Sequence, residues 1–429
     1  MKSWRDDAAT FARRRTTLRL VRQLSQRIED GRLVIGYHHT CATPCSEYCG
    51  CRKDRVNVWK SVVFRPDQTG NRMMVRFFTL LQLFLLLAPG ITRATETTSS
   101  STTSDTVSDT VTYQGTKSLS KGKHLVFIAS DHEYRGEETL PAMARILAVH
   151  HGFDCTVLFG LDENGEIKAG ESNIPGLKAL ESADGMVMFT RFQALPDEQM
   201  KYIDAYLKRG GPVMGLRTST HGFKYGNKES KYSKYDFQAK TKGYELGFGH
   251  QVLGQTWVGH YGRNHKQSTR ITIIPKQAGH PILTGVKDIH VQCGGYNAVP
   301  QDDWNILTMA QPLMSMKFDG EPDASKPPMA SEWTREYTGA NGQKGRVFTS
   351  LYGASEDILN DGYRRMLVNA TYWMLGLEEE IKAVSPIDFV GTYQPNTFRG
   401  GGYARGVKPD AYNGFESPIP ANNITSSPR

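Results

Sequence analysis

Cysteine is scarce in this chain, and the little there is sits in the wrong place for a disulfide framework. Of 429 residues six are Cys, and Cys41, Cys45, Cys49 and Cys51 crowd into one short patch. Their C-x3-C-x3-C-x-C spacing fits no common zinc module. Beyond them only Cys155 and Cys293 remain, enough for one bridge at most. The H-E-x-x-H pairing that would hold a catalytic zinc is missing too, and no metal or other cofactor is expected. The apolar stretch at 77–88 falls short of the roughly 20 residues a membrane-spanning helix needs. Basic charge is also absent where it would count. Residues 1–94 carry 17 Lys and Arg against 7 Asp and Glu, which leaves 35 against 37 for the remainder. The formal charge of +8 therefore belongs to the amino-terminal segment, and a phosphate-tracking nucleic-acid surface is not expected.

What that segment does contain is an export signal. Met73-Met74-Val75-Arg76 supplies a short positive start, Phe77 to Ala88 an apolar core, and Thr92-Arg93-Ala94 a small residue before a cut. A signal peptide at 73–94 works only if translation begins at Met73 or Met74, so residues 1–72 read as an over-extended reading frame. The protein is then exported, periplasmic or extracellular, and meets the membrane only during export. Residues 95–120 are Ser/Thr-rich with little apolar content and read as a flexible linker. Residues 121–378 read as the folded domain, and 379–429 as an extended Pro/Gly-rich tail lying against the domain or a partner.

Within the domain, continuous apolar runs at 124–130, 155–159, 185–190 and 212–216 are buried strands. Between them run helices, one with Leu140, Met143, Ala144 and Leu147 on a single face and closed by Gly152, another over 196–209. Further strands are read at 269–274, 306–309 and 346–351, and a helix at 362–375. This alternation predicts an α/β fold, a doubly wound, mostly parallel, flavodoxin-like sheet. Residues 217–267, rich in Gly, Lys, Tyr and His, read as a long functional excursion rather than core.

In such sheets ligands bind beyond the carboxyl ends of the strands, near the point where strand order reverses. The first strand is followed by Asp131-His132-Glu133-Tyr134-Arg135, the third by Arg191-Phe192, and the fourth by Arg217-Thr218-Ser219-Thr220-His221. The excursion adds His250, His260 and His265, with Tyr225, Trp257 and Tyr261. The turn after the fourth strand is where a glutamine amidotransferase holds its thiol nucleophile. Arg217 stands there, and an arginine cannot be deprotonated to attack. The turn is not G-x-S-x-G either, which demotes a serine hydrolase.

Several stretches together resemble ThuA-like (trehalose-utilisation) proteins, a branch of the class I glutamine amidotransferase-like superfamily, and within it the exported planctomycete-type versions. They are Asp131 to Arg135, His151-Gly152-Phe153, Gly211 to His221, His280-Pro281-Ile282, Trp333-Thr334-Arg335, Gly345 to Phe348 and Val390 to Pro395, so the resemblance spans about 121–416. It departs from the family at two places, having Arg217 and Gly353-Ala354 where many members carry a histidine. The resemblance implies use of trehalose or a related disaccharide. The residues add their own reason, since Arg and His donors, acidic acceptors and aromatic rings suit a small sugar ligand such as a disaccharide or keto-sugar. The expected catalytic residues are His132 or His221 as general acid/base, with Asp131 or Glu133 assisting. The expected substrate-binding residues are Arg191, Arg217, Thr218, Ser219, Tyr134 and His260, with Arg217 projecting into the cleft as a clamp. The alternatives are a non-catalytic carbohydrate-binding or scaffold domain, and a metal-dependent hydrolase using His132, His221, His260 and an acid. Amino-terminal sequencing of the native protein is expected to begin near Thr95. Peptides from residues 1–60 in that preparation would overturn the reading.

Overall fold

The computed structural model describes residues 108–115 and 122–421, together with the backbone of two stretches nearer the amino end. Those are β1 (Arg22–Glu29) and β2 (Arg32–His39), an antiparallel hairpin. They belong to the unit Met1–Ser100, separate from Ser101–Arg429. The four-cysteine patch at 41–51 and the export segment at 73–94 lie outside the described residues. Among the described residues no helix is long and apolar enough to cross a membrane.

The second unit is built on one ten-stranded sheet. Its strands are β3 (Thr110–Tyr113), β4 (His124–Ser130), β5 (Asp154–Phe159), β6 (Gly185–Thr190), β7 (Val213–Leu216), β8 (Thr269–Ile273), β9 (Ile289–Val291), β10 (Asn305–Pro312), β11 (Met329–Thr338) and β12 (Lys344–Ser350). Side by side they run β3-β5-β4-β6-β7-β12-β11-β10-β8-β9. The helices are α1 (Gly136–His151), α2 (Asp197–Lys208) and α3 (Asp361–Met374). Strand β4 shows why its run is apolar without alternation. Leu125 and Phe127 join the core that α1 and α3 share, and Val126 and Ile128 join the core that α2 covers. A strand buried on both faces has no solvent side to mark. The helix ends follow local chemistry. Gly152, at φ 74°, closes α1 with its N–H on the Ala148 carbonyl at 3.1 Å, and the Asn360 side chain caps α3 at the Tyr363 N–H, 2.9 Å.

Parallel pairing is less extensive than expected. It joins only β5, β4, β6, β7 and β12, four of the nine neighbouring pairs, and the other five pairs are antiparallel. A parallel pair needs a crossover that packs back on the sheet. Between β8 and β12 the chain forms no α-helix, and it folds back and forth beside β12 instead. Strand β11 was not anticipated because its buried residues include Ser331, Glu332 and Thr334. Glu332 is held there by the hydroxyls of Thr308, Ser331 and Ser350.

Two further expectations need correction. Thr110–Tyr113, placed in the flexible linker, is an edge strand on β5, with Val111 and Tyr113 buried. Four alternating residues inside a Ser/Thr-rich stretch give too short a period-2 signal to stand out. The excursion after β7 is not outside the core. Phe223, Tyr235, Phe248 and Leu253 pack with α2 against the sheet.

The tail lies along the domain. Ile387, Phe398, Val407, Tyr412 and Ile419 belong to the same core as α1 and α3. Its main tether is Arg145 on α1, which is fully buried. Arg145 donates to Tyr113 Oη (3.2 Å) and to the carbonyls of Tyr412 (3.0 Å) and Ser417 (2.6 Å). Replacing it with Met removes all three bonds and takes the donor from the Ser417 carbonyl, while the Tyr412 carbonyl keeps the Tyr113 hydroxyl at 2.8 Å, a loss of about 2–3 kcal/mol. Urea denaturation of Arg145→Met is expected to show that loss, and limited proteolysis to cut within 386–421.

Candidate functional site

Three parallel strands, β4, β6 and β7, end side by side, and each turns off through a non-glycine residue at positive φ. Those residues are Arg135 (63°), Phe192 (54°) and Arg217 (40°). Such conformations cost about 1–3 kcal/mol each and persist where surrounding contacts enforce them. Here they turn the chain so that 131–135, 191–193 and 217–222 meet at one edge.

The first turn is organised by Asp131. Its carboxylate accepts the backbone N–H of Glu133 (3.1 Å) and of Tyr134, and the Thr218 hydroxyl (3.1 Å). Burial pushes its pKa up to about 6, against the lowering effect of those backbone bonds. Arg191, after β6, pairs with Glu133, both side chains being partly accessible. The two turns are further joined by the Arg191 N–H on the Ser130 carbonyl (3.0 Å), and the Phe192 N–H on the His221 carbonyl (3.0 Å) ties the second of them to the turn after β7.

Arg217 is fully buried, and its guanidinium lies between two phenol rings, 3.8 Å from the centre of Tyr134 and 4.4 Å from that of Tyr296. One nitrogen donates to the Leu351 carbonyl at 2.9 Å and another reaches Asn264 Oδ1 at 3.5 Å. Asn264 in turn donates to Tyr134 Oη (2.9 Å) and accepts the Gly294 N–H (3.1 Å). Among the described residues Arg217 forms no ion pair, since Glu133 is taken by Arg191. Burial pushes the Tyr134 phenol up to about 12, so it remains neutral beneath the cation.

The expected site residues therefore fall into two layers. Asp131, Tyr134, Arg217, Thr218, Ser219 and His221 are buried and largely committed to one another; Ser219, for instance, donates to the Met188 carbonyl at 2.8 Å. The projecting clamp expected of Arg217 is thus corrected: its charge is spent on the phenol rings and the Leu351 carbonyl. His221 is enclosed by Phe192, Phe237, Trp257 and Tyr296, with ring centres 5.0–6.2 Å away. Burial, then Arg191 and Arg217, hold its pKa well below the usual histidine value. The outer layer is His132, Glu133, Arg191, Phe192 and His260. His132 is half-buried with its pKa lowered by burial and by Arg191, and exposed His260 is lowered by burial and by Arg217. His250 sits elsewhere, next to Arg335 and Asp303. Among the described residues no three His, Cys, Asp or Glu are grouped to hold a metal ion, and Cys155 and Cys293 are buried free thiols.

Sequence reasoning missed Asn264, Tyr296 and Phe398. Tyr296 is carried by a close chain crossing in which a Cβ on Gly262 would stand 2.2 Å from the Gly294 carbonyl oxygen. The pair Gly294-Gly295 was the available signal. Phe398, from the tail, stacks on His265 (4.5 Å) and leans on Tyr134 (5.1 Å), and nothing in its Pro/Gly-rich surroundings marked it. A further pattern appears only in three dimensions. Of twelve buried side-chain polar atoms without a partner among the described residues, five belong to this edge: Thr190 Oγ1, Arg191 Nε, Gln193 Oε1, Arg217 Nε and Trp257 Nε1. Buried polar groups are almost always satisfied, so such a concentration needs a reason.

Two measurements test the buried layer. The folded-state pKa of Asp131, about 6, lies above its ordinary value of 3.8, so the folded protein binds the extra proton between them. Stability from this group is complete below about pH 4 and is lost as pH rises through 6, about 3 kcal/mol in all. Asp131→Asn keeps the two backbone bonds on its oxygen and, with its amide N–H donating to the Thr218 hydroxyl in place of accepting from it, removes the charge, so stability of the native protein relative to this variant is expected to fall across that window. A difference that stays flat with pH would refute it. Arg217→Lys keeps the charge but loses the planar face, and urea denaturation is expected to show a loss of about 2–4 kcal/mol. A change under about 0.5 kcal/mol would mean the ring stack holds nothing.

No family model matches the chain, and no curated protein matches it. Among solved structures it is similar over 65% of its length to a protein described as ThuA-like from Parabacteroides merdae, covering 97% of that chain at 13% identity and a TM-score of 0.39. A second protein so described, from Bacteroides uniformis, is similar over 59%, with 91% of that chain covered, 13% identity and a TM-score of 0.36. An exo-β-1,4-mannosidase from an Opitutaceae bacterium is similar over 59% of this chain and 36% of its own, at 11% identity and a TM-score of 0.27.

Proposed function

We propose that this is an exported ThuA-like protein that binds and processes a carbohydrate, a trehalose-like disaccharide or a keto-sugar derivative, at the carboxyl edge of β4, β6 and β7. The observation that carries the reading is the set of unpartnered buried polar atoms at that edge outside the enclosed Arg217, namely Thr190 Oγ1, Arg191 Nε, Gln193 Oε1 and Trp257 Nε1, three of them able to donate, beside the rings of Phe192, Trp257 and Tyr296. Sugars present closely spaced hydroxyl acceptors and an apolar ring face, and this edge offers the complement of both. The flavodoxin-like, doubly wound arrangement belongs to the same proposal. It is supported by the order of the parallel strands β5-β4-β6-β7-β12, second-first-third-fourth-fifth along the chain. The order reverses between β4 and β6, where Glu133 and Arg191 meet. Export rests on the sequence of 73–94.

His132 takes the general acid/base role. It borders the accessible side, and a lowered pKa leaves it neutral and able to accept a proton near pH 7. Glu133, fixed by Arg191, orients a sugar hydroxyl. A binding-only role is favoured by one observation: His221 and Asp131, the partners a proton relay would use, are buried and engaged within the protein. Among the described residues no grouping of side chains favours the metal-dependent reading.

The test is calorimetric titration with neutral disaccharides and keto-sugars, followed by turnover of whichever binds. Trp257→Ala is expected to weaken binding about tenfold. His132→Gln is expected to bind within about threefold of the native protein while turnover falls at least about a hundredfold. Binding without turnover selects the binding-only reading, and absence of any sugar binding removes both.

A further inference from the structure

Residues 224–244 carry Lys224, Lys228, Lys231, Lys234, Lys240 and Lys242 against two acids, Glu229 and Asp236, in a chain whose remainder after residue 94 is slightly acidic overall. The segment borders three open hollows of about 480, 650 and 480 Å³. Each is flanked by two lysines: Lys208 and Lys234, Lys228 and Lys231, Lys224 and Lys240. The second and third hollows share Gly226 and Ser233. Ion pairing takes up the two lysines of the first hollow and leaves those of the other two without a carboxylate partner among the described residues. Asp236 is occupied by the backbone N–H groups of Tyr225, Gly226 and Gln238, and Asp204 serves Lys208 and Lys234. Among the described residues Lys224, Lys231 and Lys240 are exposed and form no ion pair. The row also reaches the edge site. Lys224 Nζ lies 5.2 Å from the centre of the Phe192 ring, which the Arg191 guanidinium approaches at 5.0 Å and which stands 5.0 Å from His221.

We propose that this excursion is an extended docking surface for an anionic polysaccharide, one bearing carboxylate or sulfate groups, whose chain end reaches the edge site past Phe192. The proposal rests on the carbohydrate reading of that site. Successive hollows with paired cations match a polymer whose charges repeat along its length. The second and third hollows also carry Ser230, Asn227, Gln238 and Thr241, which suit sugar hydroxyls, beside the acids Asp197, Glu229 and Asp236, while the first is walled in part by Tyr244, Val252 and Tyr337, faces on which a sugar ring can lie. Nucleic acid is less well served, because Tyr225, Tyr232 and Tyr235 are buried and only Tyr244 of the segment's tyrosines is partly accessible, too few rings for successive bases to stack on.

The probes are polygalacturonate and dextran sulfate, with neutral dextran as control, titrated at low and high salt against the native protein and a Lys224→Gln/Lys231→Gln/Lys240→Gln variant. The charged polymers are expected to bind at least tenfold tighter than neutral dextran. The triple variant is expected to lose at least tenfold and most of the salt dependence, while a Lys231→Gln/Lys240→Gln variant, which keeps Lys224 beside Phe192, holds its affinity for the neutral disaccharide at the edge site within twofold. Charged-polymer binding that survives in Trp257→Ala, where the disaccharide is weakened, sustains the surface independently. If disaccharide binds and charged polymers do not, the surface falls and the edge site stands. If the triple variant binds the polymers as the native protein does, or a single-stranded oligonucleotide binds tighter than either polymer, the proposal is overturned.

Discussion

A cation buried without a carboxylate is the constraint around which this edge is built. Removing a guanidinium from water costs several kcal/mol, and without compensation the turn after β7 would not stay closed over Arg217. Compensation comes from two phenol faces, each worth about 2 kcal/mol when desolvated, and a charge-assisted bond to the Leu351 carbonyl worth a similar amount. The terms nearly balance, so each partner is needed. Tyr134 belongs to the turn after β4, Tyr296 to the loop beyond β9, and Leu351 to the exit of β12. One side chain thereby ties together pieces of chain more than two hundred residues apart in sequence.

The positions of those partners are themselves determined. Asp357 accepts four backbone N–H groups, from Gln292 and Cys293 on one oxygen and Gly353 and Ala354 on the other. It thus staples the loop leading to Tyr296 onto the loop after β12. Asn264 bridges Arg217, Tyr134 and Gly294 from the excursion. From the other side the tail closes in, with the Gly401 N–H on the His132 carbonyl at 2.7 Å and Phe398 against Tyr134. The tail is therefore part of the frame that fixes His132, the outer-layer residue to which proton transfer is assigned in the proposed function.

The sequence made the parallel half of the sheet legible because β4, β5, β6 and β7 are short apolar runs separated by punctuated helices. It also made legible which turns would meet, because strand direction decides where each carboxyl end lies. Depth was not legible. Asp131 and Glu133 are two residues apart, yet one is sealed beneath its own turn and the other pairs with Arg191 at the rim. That difference depends on the carboxylate accepting local N–H groups, which residue types alone do not reveal. The antiparallel half was partly hidden for a related reason: its strands bury Thr308, Ser331 and Glu332, whose cost is removed by mutual hydrogen bonds that only the folded register creates.

The turn after β7 is structural. Arg217 is fully enclosed, and a Cβ on Gly353 would come within 3.2 Å of the neighbouring Leu216 side chain, so the exits of β7 and β12 leave no room between them for a reacting group. With that position closed, the groups left facing outward are those of the first turn and the excursion: His132, Glu133 with Arg191, and His260. All of them are proton carriers, charges or hydrogen-bonding groups, and none is a covalent nucleophile of the thiol or hydroxyl kind. It is Arg217, by locking the turns together, that holds those groups at the rim.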